Sequence, residues 1–256
     1  MNIFKPFRKF VLLFIFLYII AAPALAADHF SLVVFGDPQG QYDVFQDLIQ
    51  KVNAENDISF AVSCGDLVSE GNYQDYLRYN ELTKELKVKL YNVMGNHDAV
   101  RGSWKHFNKF FGEAFYSFDY KNSHFIVIDN SFDQRLTQYQ MGWLRSDLAK
   151  NDKENIFVFM HRPLFDVTGF FGSYAMESEE KSQILQQLFE KHKVNVVFAG
   201  HIHGFSKGLH NGVFYIITAG AGATIYMPEF MGGYFHYVKV NVDGEDVTYT
   251  VVPVYD

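Results

Sequence analysis

The chain has 256 residues, of which 48% are hydrophobic and 18% aromatic, and 22 basic against 29 acidic side chains give a formal charge of −7. That much apolar material is ample for a buried core and excludes intrinsic disorder. The acidic balance argues against a nucleic-acid or other polyanion partner.

The first segment reads as a targeting signal, not as fold. Lys5, Arg8 and Lys9 precede an apolar run from Phe10 to Ile20, and Ala24-Leu25-Ala26 follows as a small-residue cleavage pattern. The expectation is a secretory signal over residues 1–26 and export to a periplasmic or extracellular space. Loss of its three basic residues takes the formal charge from −7 to −10. The apolar run is shorter than the roughly 20 residues that span a bilayer. An uncleaved anchor is the alternative, and it is the only route to a membrane. Residues 27–256 show no linker, repeat or composition break and read as a single domain. Cys64 is the sole cysteine and can form no internal disulfide. Inside an apolar run it reads as a small buried residue, since a catalytic thiol needs an electropositive, partly exposed setting.

Beyond the signal, β-branched and aromatic runs alternate with stretches of helical spacing. Strands are expected at 31–36, 58–64, 90–94, 115–120, 125–129, 156–160 and 194–199, and helices at 42–53, 73–86, 138–148 and 177–192. The class is α/β. Further strands at 205–209, 213–218, 234–240 and 246–254 are joined by turns such as His210-Asn211-Gly212 and Asp243-Gly244. They read as hairpins of a more antiparallel second sheet. The stretch 164–176, with Phe165, Phe170, Phe171 and Tyr174 among glycines, is too irregular for either element. It is read as a lid facing an aromatic or lipid-like leaving group, or as a loop tucked onto the core.

Five of the strands are each followed by a donor: Asp37, Asp66, Asn96, His161 and His201. Any one alone is an ordinary turn residue. Open α/β sheets collect function at the carboxyl ends of strands, so five together point to convergence on one metal site. Residues two apart in an extended segment share a side, which lets His201 and His203 face neighbouring metals while Ile202 turns inward. Imidazole with carboxylate or amide oxygen suits manganese, iron or zinc better than calcium.

The blocks Asp37-Pro38-Gln39, Gly65-Asp66-Leu67-Val68-Ser69, Gly95-Asn96-His97-Asp98, His161 and Gly200-His201-Ile202-His203 resemble, in order and spacing, those of the calcineurin-like metallophosphoesterases. The resemblance implies a four-layer α/β/β/α sandwich of two mixed sheets with two metal ions at one edge. It implies that Asp37 and His203 hold the first metal, with Gln39 at the position of a further ligand, that Asn96, His161 and His201 hold the second, and that Asp66 bridges them. His97 would lie over the substrate and protonate the leaving oxygen or stabilise the transferred phosphoryl group, with Asp98 orienting its ring. A plain turn carboxylate is the other reading of Asp98.

The implied activity is hydrolysis of a small phosphate ester by a hydroxide generated on the metals. A phosphomonoester is favoured because no basic track for a polymeric diester is visible, and a phosphodiester is the alternative.

Two departures bear on this expectation. Gln39 stands where the family has histidine and offers a neutral, weaker donor. The first site is thus complete with Gln39, filled only at high metal concentration, or completed by water. Gln39 also motivates a third hypothesis, a metal-poor binding protein of the cell envelope, against which intact His97 argues. Ser69 replaces the family's usual aspartate, or the tyrosine of its purple acid phosphatase branch, so an iron(III)-tyrosinate is not expected. No feature of the sequence assigns an oligomeric state.

Overall fold

The structure is a computed structural model and describes residues 28–99 and 104–255. The expected signal, residues 1–26, lies outside the described residues. In chain order the elements are β1 His29–Phe35, α1 Tyr42–Ala54, β2 Ile58–Ser63, α2 Tyr73–Thr83, β3 Lys89–Asn92, α3 Trp104–Phe111, β4 Tyr116–Tyr120 and β5 Ser123–Val127. They continue with α4 Gln138–Lys150, β6 Asn155–Phe159, α5 Glu179–Lys191, β7 Val196–Ala199, β8 Phe205–His210, β9 Val213–Thr218, β10 His236–Asp243 and β11 Asp246–Pro253.

Successive side chains of a strand point to opposite faces, so a strand apolar throughout must lie between two covering layers. In β1, Val33 and Phe35 join α1 and α2 residues Phe45, Leu48, Ile49, Tyr76 and Tyr79 on one side. Leu32 and Val34 face the other way, onto Phe125, Phe157, Phe159 and Phe198 of the second sheet. Beyond that sheet, Ile126, Val158 and Val197 meet Leu144 and Leu148 of α4 and Leu185 and Phe189 of α5. Three apolar interfaces stacked in this way make the expected four layers, α/β/β/α.

Helix starts follow from local chemistry. The Asn72 side chain accepts from the amides of Gln74 and Asp75 ahead of α2, Thr137 caps α4 through Gln140, and Ser178 caps α5 through Lys181. The middle layer is unusually aromatic. Phe118, Phe125 and Phe157 are cross-strand partners with ring centroids 5.0 Å apart at each step, and Phe159 and Phe198 pair at 5.4 Å. Phe157→Ala would open a cavity costing about 3–5 kcal/mol.

The first sheet has the order β11-β10-β1-β2-β3 and the second β4-β5-β6-β7-β9-β8. The hairpins therefore do not form a separate antiparallel sheet. The β10–β11 hairpin extends the first sheet through β1, while β4 and β8 edge the second. Turn sequences specify a hairpin, but the apolar face it must bury decides which edge it joins. Val238, Val240 and Val242 place β10 over the middle layer. Helix α3 is absent from the sequence reading, although Trp104, Phe107, Phe110 and Phe111 recur at helical spacing. Aromatic residues are modest helix formers, and packing of Phe107 and Phe111 against the α2 tyrosines supplies what propensity does not. Among the described residues no helix is long and apolar enough to cross a membrane.

Candidate metal centre

Hydrogen bonds that continue past the strands knit their carboxyl ends into one site. Asp37 N–H donates to Gly65 O at 3.0 Å, and Gly200 N–H to His161 O at 2.9 Å. Between the sheets, His161 Nδ1 lies 2.9 Å from Cys64 O. Asp37, Asp66 and His201 take left-handed backbone, with φ of 58°, 50° and 70°. For such residues this conformation costs roughly 1 kcal/mol or more and is typical of functional turns. Gly65 makes the close approach possible: its φ is 95°, and a Cβ there would come within 2.7 Å of His161 Nδ1.

The protonation of His161 follows from its partners. A carbonyl only accepts, so Nδ1 carries the proton toward Cys64 O and Nε2 presents a lone pair. Around that lone pair stand Asn96 Oδ1 at 2.9 Å, His201 Nδ1 at 3.0 Å and Asp66 Oδ1 at 3.3 Å. Burial pulls the pKa of His161 down to about 3, and burial followed by the neighbouring His161 pulls His201 down to about 2. Neither ring is charged near neutral pH. A neutral His201 carries one proton: on Nδ1 it donates to His161 Nε2, and on Nε2 it leaves Nδ1, His161 Nε2, Asn96 Oδ1 and Asp66 Oδ1 facing one point that a cation can occupy. One ligand atom from each of Asp66, His161 and His201 can lie within 4.8 Å of the others.

A second, poorer group lies on the other side of Asp66. His203 Nδ1 donates to Thr224 O at 2.8 Å, which leaves Nε2 facing Asp37 Oδ1 at 3.4 Å. Burial works against a charge on His203, yet the hydrogen bond and charge of Asp37 outweigh it and raise the pKa. Gln39 Nε2 donates to Asp66 Oδ2 at 3.2 Å, while its buried Oε1 has no hydrogen-bond partner among the described residues. An orphaned amide oxygen beside two carboxylates fits a cation ligand. Asp66 offers one oxygen to each group, the geometry a bridging carboxylate requires. Burial first, then the charge of Asp37, push its carboxyl well above the usual range. The donor set therefore fits metal ions, more fully around His161 than around Gln39.

His97 is the most accessible of these histidines, with 44% of its side chain exposed and Nε2 4.0 Å from Asp66 Oδ2. Asp98 was expected to orient its ring, and the structure gives it different work. The Asp98 carboxyl accepts from the amides of Leu67, Val68 and Gly95, at 3.2, 3.2 and 2.7 Å, and clamps two of the motif loops together. The His97 ring is held by Ser69 O, 2.6 Å from Nδ1. Arg162, next in sequence to His161, turns to Ser131 O and Glu177. The amides of Ala221 and Ala223 donate to Gly36 O and Asp37 O, so the turn at residues 220–223 braces the Asp37 loop.

Two residues of the site escaped the sequence reading. Asn130 accepts from the amides of His161 and Arg162, at 2.9 and 3.0 Å, and fixes the His161 loop. It follows β5 as the ligands follow their strands, a signal that could have found it. Tyr226 donates to His201 O at 2.9 Å and lays its ring 4.8 Å from that of His203. No motif marks it.

Comparison with known proteins gives the same picture. The calcineurin-like phosphoesterase family model matches residues 30–205. Purple acid phosphatase 23 of Arabidopsis thaliana is 30% identical over 135 residues, which are 52% of this chain and 28% of that protein. A probable cyclic nucleotide phosphodiesterase of Fibrobacter succinogenes is 24% identical over 167 residues, 63% of this chain and 64% of that one. The chain thus spans less than a third of its plant relative. Among solved structures, a yellow lupin purple acid phosphatase superposes with a TM-score of 0.76 at 18% identity, covering 90% of this chain and 52% of that one. A dimetal phosphatase from Danio rerio gives 0.66 at 14% identity, covering 89% and 97%.

Proposed function

The chain belongs to the calcineurin-like phosphoesterase family, and on that premise we propose that it is an exported, two-metal phosphoric ester hydrolase acting on small phosphomonoesters. The observation that carries this reading is the convergence of ligand atoms from His161, His201, Asn96 and Asp66 on one point, with Asp37, His203 and Gln39 on the other side of Asp66. Bound manganese, iron or zinc ions would supply Lewis acidity toward the phosphoryl oxygens and a nucleophile from water at neutral pH.

The chain's own residues do the rest. Asp66 sets the spacing between the two donor groups. Asp98 and Asn130 hold the loops that carry Asn96 and His161, so the ligands do not have to reorganise. Ser69 O fixes the His97 ring and directs Nε2 over the site, where it delivers a proton to the leaving oxygen. Export rests on the pattern of residues 1–26. The monoester is favoured by the acidic chain and by the phosphatase names of its plant relatives. A phosphodiester is the second reading, because the Fibrobacter relative matches over more of both chains.

Purified protein supplied with manganese, iron or zinc should cleave p-nitrophenyl phosphate faster than bis-p-nitrophenyl phosphate. Faster cleavage of the diester reverses the substrate assignment. Cleavage of neither ester above an Asn96→Ala control removes the hydrolase reading.

A further inference from the structure

A run of aromatic rings leads away from the metal ligands and ends exposed. The ring of His203 lies 4.8 Å from that of Tyr226, and Tyr226 stacks on Tyr174 at 5.4 Å with 26° between their planes. Tyr174 also lies 6.3 Å from the His201 ring, edge to face, so it flanks both histidines. It is nonetheless 45% exposed. An exposed ring beside these ligand atoms is rigid enough to bind well, because an aromatic side chain has few torsions to freeze.

The segment that presents Tyr174 is built, not loose. The Asp166 carboxylate accepts from the Thr168 amide and hydroxyl, at 2.9 and 2.7 Å, and from the Phe171 amide. Tyr174 N–H closes a helical turn onto Phe171 O at 2.9 Å. Phe171 and Val167 pack on a small cluster of Ile202, Ile217 and Met227. Ile202 is the residue between the two ligand histidines, so its inward turn ties the aromatic segment to the metal loop. Tyr226 serves the same purpose through its bond to His201 O.

We propose that Tyr174 is the stacking platform for a planar aromatic leaving group, so that the preferred substrates are phosphate esters carrying a ring close to the ester oxygen. This rests on the hydrolase reading above and specifies its substrate class. A ring packed on the side of Tyr174 that faces His201, whose ring lies 6.3 Å away, sets the attached phosphate against the donor groups. The chemistry required is a π face, offered equally by an aryl group or a nucleobase.

The test uses the manganese-loaded full chain and esters whose alcohols differ in the ring but little in leaving ability. The proposal expects kcat/KM for benzyl phosphate to exceed that for cyclohexylmethyl phosphate by about fivefold. Tyr174→Leu should abolish the preference and Tyr174→Phe should keep it, each read as the ratio of the benzyl to the cyclohexylmethyl rate within one protein. A Tyr174-dependent preference for adenosine 5′-phosphate over ribose 5-phosphate would identify the ring as a nucleobase, and its confinement to the benzyl pair as an aryl group. Equal rates on the benzyl and cyclohexylmethyl esters in the wild type, or a preference that survives in Tyr174→Leu, overturn the platform. Calorimetric binding of benzylphosphonate against ethylphosphonate separates the two claims. If no ester is cleaved yet the benzyl compound still binds more tightly through Tyr174, the hydrolase reading falls and the platform stands. If the two phosphonates bind alike, the platform falls whatever the activity.

Discussion

Imidazole meets carboxylate at both ends of the second sheet, with opposite results. At the amino end of β5, His124 Nδ1 lies 2.6 Å from Asp119 of β4 and Nε2 2.9 Å from Asp147 of α4. Each nitrogen has its own acceptor. Lys153, 3.8 Å from Asp119, shares that carboxylate, and Ser117 donates to the other oxygen of Asp147. Burial opposes a charge on His124, but the hydrogen bonds from Asp147 and then Asp119 outweigh it and raise the pKa. At the carboxyl end of β6, one nitrogen of His161 shares its space with donor atoms of Asn96, His201 and Asp66, and burial drives its pKa down to about 3. A proton completes the first cluster, and the second has the donor set of a cation site. What separates structural from functional histidine here is whether acceptors are distributed over both ring nitrogens or crowded onto one.

The sharpest way to break this contrast is to change the group shared within each cluster, Asp66 in one and His124 in the other. Asp66→Asn keeps the shape of the bridge and removes its charge. Phosphatase activity should fall roughly a thousandfold. His124→Leu should leave kcat of the metal-loaded protein unchanged, and an equal loss in both variants would erase the distinction.

Stability should show the reverse ordering. His124→Leu strands two carboxylates and should cost about 2 kcal/mol at pH 6. The folded pKa of His124 is raised, so its stabilisation is fully present below the unfolded value of about 6.5 and is lost as pH rises through the folded value. The gap between wild-type and His124→Leu urea midpoints should therefore narrow from pH 6 to pH 9. A gap that widens with pH would mean His124 is held neutral.

The smallest effect concerns the poorer half of the centre. Gln39→His should tighten binding of the weaker cation by about tenfold, seen as a shift in the titration midpoint. No shift would place Gln39 outside the ligand set, acting only through its hydrogen bond to Asp66.

The layers and the meeting of the strand-end donors were legible because each depends on side-chain type. Apolar runs marked β1, β2, β3, β6 and β7, and a donor follows each of them. The work of Ser69 was hidden, since a backbone carbonyl carries no residue signature. Asp98 had two readings, partner of the His97 ring or turn carboxylate, and the amides of Leu67, Val68 and Gly95 on its carboxyl favour the second, through contacts between loops that no sequence spacing marks. Tyr226 arrives from a segment with no periodic pattern, and only the folded chain brings it over His203. The left-handed backbone at Asp37, Asp66 and His201 likewise has no sequence mark where glycine is not used.

Metal content tests the account most directly. The full chain, loaded with manganese, freed of excess metal and submitted to elemental analysis, should hold about two equivalents. His124→Leu should hold the same and Asp66→Asn far less. A wild-type chain that retains no metal, or retains as much after Asp66→Asn, would contradict the claim that crowded lone pairs at the strand ends form a cation site.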